Sequence, residues 1–207
     1  MAAFPRTILP RTCSWPERPA PLVSTTIGSK VETRQTGAVG VRWTEHFAPM
    51  NANLQATRIF LSEINRLWSS GTNFTITPYE FSTLSGAQGA TGTLATGSTG
   101  LVNGASQTGA SLITDGWSAG TILQGDYITA AGVGYSLWLT ADKTVSAGAI
   151  TFALSPSIAS GDEPADNAVV TVNGPLTAKI ISKPNLPTSL TAIDWYQGLS
   201  ITFVEDI

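Results

Sequence analysis

A mainly β protein with a single helix is what the sequence predicts, and three observations predict it. Short runs in which apolar and polar residues alternate recur along most of the chain. Only the stretch 52–70 repeats its apolar residues at helical spacing. Gly, Pro, Asp and Asn punctuate the remaining runs at intervals of roughly 10–20 residues, the spacing of strands in a small barrel or sandwich. The expected architecture is a β-sandwich or barrel domain with a flanking helix, into which a second, small β-barrel is inserted.

The first element is Met1 to Pro21, with five prolines among Phe4, Ile8, Leu9 and Trp15. Proline fixes φ and removes an N–H donor, so the segment reads as an extended arm, 1–21. A frayed terminus is the plainer alternative, but it would leave four large apolar groups in water. Phe4, Ile8 and Leu9 are therefore the expected anchors on a partner subunit. Prolines and arginines interrupt the segment, so it lacks the apolar core of a signal peptide.

Residues 22–82 and 175–207 are expected to form one split β domain. Val23, Thr25, Ile27, Val31 and Thr33 alternate with polar residues, with a break at Gly28. Val41, Trp43, Glu45 and Phe47 then share one parity, and Glu45 is the exception on an otherwise apolar face. Pro49 ends that strand, and Asn51 is placed to cap the helix 52–70. Phe60, Leu61, Ile64, Leu67 and Trp68 form one stripe, and Gly71 is the natural stop. Fully buried, Trp68 would cost about 3–5 kcal/mol on truncation to Ala. Phe74, Ile76, Tyr79 and Phe81 read as a return strand. At the far end of the chain, Leu199, Ile201 and Phe203 alternate as a strand in need of a sheet.

From 83 to 100 the residues are mostly Gly, Thr, Ala and Ser, the composition of a linker. The inserted module, 101–174, follows. Its expected strands carry Leu112, Tyr127, Ile128, Tyr135, Leu137, Leu139, Ile150, Phe152, Leu154, Val169, Val170 and Val172, with a corner at Gly116-Trp117.

Composition narrows the function classes. The 207 residues are only 12% charged, against roughly 25% in typical soluble domains, which suits a subunit covered by neighbours. The net charge of −3, without a Lys/Arg cluster, argues against a phosphate-binding surface. One cysteine, Cys13, excludes an intrachain disulfide and a Cys-rich zinc site. No run approaches the ~18 apolar residues of a membrane span.

The chemical motifs are weak. Gly116-Trp117-Ser118-Ala119-Gly120 matches G-x-S-x-G, but a nucleophile elbow needs a buried strand before it and a helix after it. Asp115 precedes this one and β-pattern follows, and His46, the single histidine, lies in the other domain. Asp162, Glu163 and Asp166 could hold calcium, yet the EF-hand spacing is absent. Asn73-Phe74-Thr75 is a glycosylation sequon. Trp117, Tyr127, Tyr135 and Trp138 would support carbohydrate binding if they lined one exposed face. No catalytic residue, cofactor or metal is expected.

A family resemblance supplies a more specific expectation. It is carried by Cys13-Ser14-Trp15, Arg34-Gln35-Thr36-Gly37 and Gly40-Val41-Arg42-Trp43. It continues through Leu101-Val102-Asn103-Gly104-Ala105, Gln107-Thr108-Gly109, Thr114-Asp115-Gly116-Trp117 and Gly125-Asp126-Tyr127-Ile128, and ends with the strand Gly198 to Glu205. In these stretches the chain resembles the distal tail proteins of long-tailed bacteriophages and minor tail proteins of gene-transfer-agent type.

The resemblance implies a tail-tube-like β fold and a ring of identical subunits, a hexamer, at the distal end of the tail. Its partners would be copies of itself, the tail tube protein, and the tail-tip hub with its fibre proteins. DNA would pass through the lumen without specific binding. The protein would be made in the host cytoplasm and reside in the virion. The alternative is a carbohydrate-binding or host-attachment module of a tail.

Overall fold

A computed structural model describes residues 2–14, 22–25, 31–34, 40–51, 54–79, 94–182, 195–196 and 198–206. The elements in chain order begin with β1 (Ala2–Ala3), β2 (Thr12–Cys13), β3 (Leu22–Thr25), β4 (Val31–Arg34), β5 (Arg42–His46) and β6 (Met50–Asn51). The helix α1 (Gln55–Ser70) and β7 (Phe74–Ile76) follow. Next come β8 (Thr99–Val102), β9 (Gly109–Asp115), β10 (Thr121–Ile122), β11 (Tyr127–Ala130), β12 (Leu137–Leu139) and β13 (Lys143–Thr144). The last are β14 (Ile150–Ile158), β15 (Val169–Val172), β16 (Leu176–Ile180), β17 (Trp195–Tyr196) and β18 (Ser200–Glu205). The expected class, mainly β with one helix and a small barrel, is the class observed.

The chain divides into two compact units, Met1–Phe74 with Thr177–Ile207, and Thr75–Leu176. The first is built on a six-stranded sheet in the order β1-β7-β16-β18-β5-β2. Alternation decides its faces. Trp43, Ile201, Phe203, Ala178 and Phe74 are buried on one side, while Arg42, His46 and Ser200 are exposed on the other.

The helix sets its stripe against the apolar side: Thr57, Phe60, Ile64 and Leu67 are buried. Phe60 packs on Phe47 with ring centroids 5.2 Å apart. Leu61 and Trp68, at the margin of the stripe, are half-buried, so Trp68 does not meet the condition of full burial. Gly71 closes the helix in the left-handed region at φ 60°, donating to Trp68 O. The start differs from expectation. The helix begins at Gln55 with Leu54 as N-cap and no side-chain cap. Asn51 is instead drawn into β6, opposite Trp195 of β17, and it is its carbonyl that accepts Leu54 N–H.

The stretch read as an arm is also different. Its residues form both edge strands of this sheet: β1 lies beside β7, and β2 pairs with β5, Thr12 opposite His46 and Cys13 opposite Glu45. Between them the segment crosses the covered face, and Phe4 is buried there. Its ring meets Phe203 edge-on at 5.2 Å, Phe74 at 5.4 Å and Phe60 at 6.3 Å. Prolines at positions 5 and 10 forbid a long strand but leave room for two residues at an edge. From the alternation Val23 to Thr33, β3 and β4 pair antiparallel as a two-stranded sheet of their own, and 26–30, with Ile27 and Gly28, lies outside the described residues.

The second unit holds a closed six-stranded barrel, β11-β12-β14-β9-β8-β15, with every neighbouring pair antiparallel. Val102, Leu112, Ile128, Leu137, Phe152, Val170 and Val172 are buried in it. Of the stretch expected as linker, 83–93 lies outside the described residues, but 94–100 belongs to this unit. Leu94 is buried, and β8 begins at Thr99.

Trp117 lies against the barrel wall at Gly100. A Cβ at Gly100 would come within 2.2 Å of the indole Cε2. The indole N–H donates to Thr114 Oγ1 at 2.7 Å, and Thr114 donates in turn to Ile150 O at 3.0 Å. The ring is rigid and its N–H is tied, so it cannot yield to an added methyl. Gly100→Ala should therefore destabilise the barrel by about 2–3 kcal/mol. Thermal unfolding followed by tryptophan fluorescence would measure this. An unchanged melting temperature would mean that the ring does not occupy this place.

Candidate functional site

The sharpest polar feature of the first unit is Glu45, fully buried on the apolar face of β5. Arg6 reaches it from the N-terminal segment, its two terminal nitrogens donating to the two carboxylate oxygens at 2.5 and 2.8 Å. The guanidinium carbon also stands 5.3 Å from the centre of the Phe4 ring. A carboxylate taken out of water is tolerable only when it is paired and hydrogen-bonded, and a fork-to-fork arginine pair does both. The sequence signal was present, since Glu45 was the one polar residue on its parity. Its partner was not legible, because Arg6 is 39 positions away.

Of the three expected anchors, Phe4 is used within its own unit and is not available to a partner in this conformation. Ile8 is half-buried, and Leu9 is 58% exposed. The edge of β5 is finished by the same segment. Arg11 N–H donates to His46 O, Ser14 N–H donates to Thr44 O, and the Ser14 hydroxyl accepts Thr44 N–H.

On the opposite side of the sheet lies a row that sequence reasoning missed. Thr12, His46 and Ser200 sit on three adjacent strands, with His46 Nδ1 and Ser200 Oγ 2.7 Å apart. The next row holds Thr44 and Thr202, whose hydroxyls are 3.0 Å apart, and then Ile181, whose N–H donates to Thr202 O. Sheet register alone makes this neighbourhood. Residues 44–46 and 200–202 are far apart in the chain, and no local motif announces it.

The other candidates are occupied with structure. In the G-x-S-x-G stretch Trp117 is the buried plug described above, and Ser118 is an exposed loop residue followed by the strand β10 rather than a helix. Glu163 accepts the Gly161 N–H at 2.8 Å. Its own backbone N–H and that of Gly161 hold its carboxyl below the ordinary value. Asp166 accepts the Gly104 N–H at 2.8 Å and the Asn167 amide at 3.0 Å. Among the described residues no group of three or more His, Cys, Asp or Glu side chains could hold a metal ion.

Trp117, Tyr127 and Tyr135 are buried and Trp138 is half-buried, so three of the four aromatics do not lie on an exposed face. Tyr127 donates its hydroxyl to Gly174 O at 2.7 Å. Asn73 of the sequon is part-buried and donates to Asp206, with Phe74 behind it in the core. No described helix is long and apolar enough to cross a membrane, which leaves membrane β-barrels untouched.

No protein-family model matches the chain, and no curated protein matches it.

Two expectations follow from these pairs. Arg6→Ala takes the guanidinium away from the buried Glu45 carboxylate and should cost about 2–4 kcal/mol in urea unfolding, whereas Arg6→Met with Glu45→Leu should recover most of that loss. Equal losses in the two variants would mean that the pair is not a buried charge coupling. The second expectation concerns Asp206. Lys179, donating at 2.6 Å, and then Asn73 hold its carboxyl below its ordinary value near 3.8. A folded-state value below the unfolded one adds stability above the unfolded pKa, and that gain is lost as pH falls through the folded value. Lys179 is 41% exposed, so solvent screening keeps the gain under about 1 kcal/mol. Asp206→Asn should therefore lower the melting temperature slightly at pH 7 and leave it unchanged near pH 2. A larger effect at the acid end would reverse the assignment.

Proposed function

We propose that this chain is a structural subunit of a phage tail tip. Copies of it assemble, as a hexamer, into a ring at the distal end of the tail tube. The ring joins the tube to the tip hub and leaves a lumen for DNA. The observation that carries the reading is where the described residues of the family-like stretches fall: they belong to the two β units and line no reactive site.

In Leu101–Ala105 and Gln107–Gly109, the Gln107 side chain acts as a short strand. Its carbonyl oxygen accepts Ile113 N–H at 2.7 Å, and its amide donates to the carbonyls of Asn103, Gly104 and Ile113. In Gly125–Ile128, Asp126 accepts Leu123 N–H and the Asn173 amide. In the terminal strand, Glu205 accepts Val41 N–H at 3.0 Å. A chain that spends its polar side chains on rigid β scaffolding, with few charges left for solvent, suits burial among neighbours.

A ring subunit must bury well over about 1,000 Å² at each contact. Purified full-length protein should therefore give closed rings of uniform size by negative-stain imaging, with a mass by light scattering that is a fixed multiple of the chain. A monomer at every concentration tested would overturn the proposal.

A further inference from the structure

We propose that in the assembled ring the seat on the covered face of the sheet is filled by the N-terminal segment of a second copy of the chain. This deepens the self-assembly reading above and rests on it. The seat has a definite chemistry. Phe60, Phe74 and Phe203 line a slot that takes an aromatic ring, and the buried Glu45 takes a guanidinium. The edge of β5 takes a two-residue strand. The ligand must carry an aromatic residue and an arginine two positions apart, followed at a distance by a short strand. Phe4, Arg6 and Thr12-Cys13 meet that pattern, and every copy of the chain offers it.

The connection supplies the second argument. β2 and β5 are antiparallel neighbours, which a two-residue turn can join. Residues 15–39 lie between them instead. With β3 and β4 paired at Leu22 and Arg34, the stretches 15–21 and 35–39 still reach about 40 Å at full extension. A compact unit of a hundred residues is roughly 30 Å across, so the connection is long enough to reach the same seat on a neighbour. The segment makes identical contacts in either seat. In a closed ring each subunit then gives one segment and receives one, the head-to-tail arrangement that closes on itself.

The test traps the pairing in the full-length chain. Thr12 and His46 are register partners, so Thr12→Cys with His46→Cys, in a Cys13→Ser background, places two thiols opposite each other. Rings separated from monomers by size exclusion and then oxidised should give covalently linked dimers and higher ladders on non-reducing gels. Rings that give only internally linked single chains overturn the exchange and leave the ring standing. Protein that never forms rings overturns both. An independent arm uses Arg6→Glu and Glu45→Arg as separate chains. Each alone should fail to assemble, and an equal mixture should assemble, because exchange pairs opposite charges. A mixture that stays unassembled overturns the proposal.

Discussion

The ion pair between Arg6 and Glu45 is the constraint from which the first unit follows. A carboxylate in the middle of an apolar sheet face would be strongly disfavoured if left alone. Among the described residues, α1 and the N-terminal segment run over that face. α1 presents Thr57, Phe60, Ile64 and Leu67 there, none of them charged. The N-terminal segment crosses the face and brings Arg6 to the carboxylate, and the rest follows from that placement. Once Arg6 is fixed, Phe4 falls among Phe60, Phe74 and Phe203, and the ends of the segment meet the two edges of the sheet. Open edges invite pairing with other chains. Here two-residue strands cover them, and the Ser14 hydroxyl occupies Thr44 N–H, where a longer strand would have continued the ladder.

The second unit solves the same edge problem by closure. A six-stranded antiparallel barrel has no free edge, but closure crowds its wall, and small residues mark where. Gly100 makes room for the Trp117 indole, and a Cβ at Gly174 would come within 2.3 Å of Thr129 Oγ1. Two of the polar groups drawn inside are linked in sequence, Trp117 to Thr114 to Ile150. Asn173, at φ 44°, accepts Tyr127 N–H and donates to Asp126. Linked hydrogen bonds of this kind hold one arrangement rather than several.

What the sequence made legible was whatever repeats within a few residues. The parity of Val41, Trp43 and Phe47, the stripe Phe60–Ile64–Leu67 with Gly71 behind it, and the short barrel strands are all local patterns. The structure departs from the reading where a distant partner outweighed a local preference. Asn51 is a good cap by type, but pairing with β17 claims its backbone and moves the helix start to Gln55. The prolines of the first segment argued for an arm, because nothing in Ala2-Ala3 or Thr12-Cys13 announces a strand. Those strands exist only because β7 and β5 have edges to cover. Similarly, the row of His46 and Ser200 comes from the register of two strands that meet only in the folded sheet.

That register has a physical bearing on assembly. The rows Thr12–His46–Ser200 and Thr44–Thr202 carry hydroxyls and one imidazole, and the row beyond carries Arg42 and Lys179, the latter paired with Asp206. Hydroxyls that bond to one another, as Thr44 does with Thr202 and Ser200 with His46, have already exchanged part of their water for protein partners. Burying such a face costs less than burying a face of lysines and glutamates, and the cores of protein interfaces are correspondingly poor in charge. Those two hydroxyl rows turned toward a lumen would present a passing polyanion with little fixed charge, so they would not hold DNA by counterion release. In the proposed ring either placement is served by a sheet whose cohesion comes from Arg6 and Glu45 on its covered side, while the two rows around His46 on its outer side carry hydroxyls in place of charged pairs.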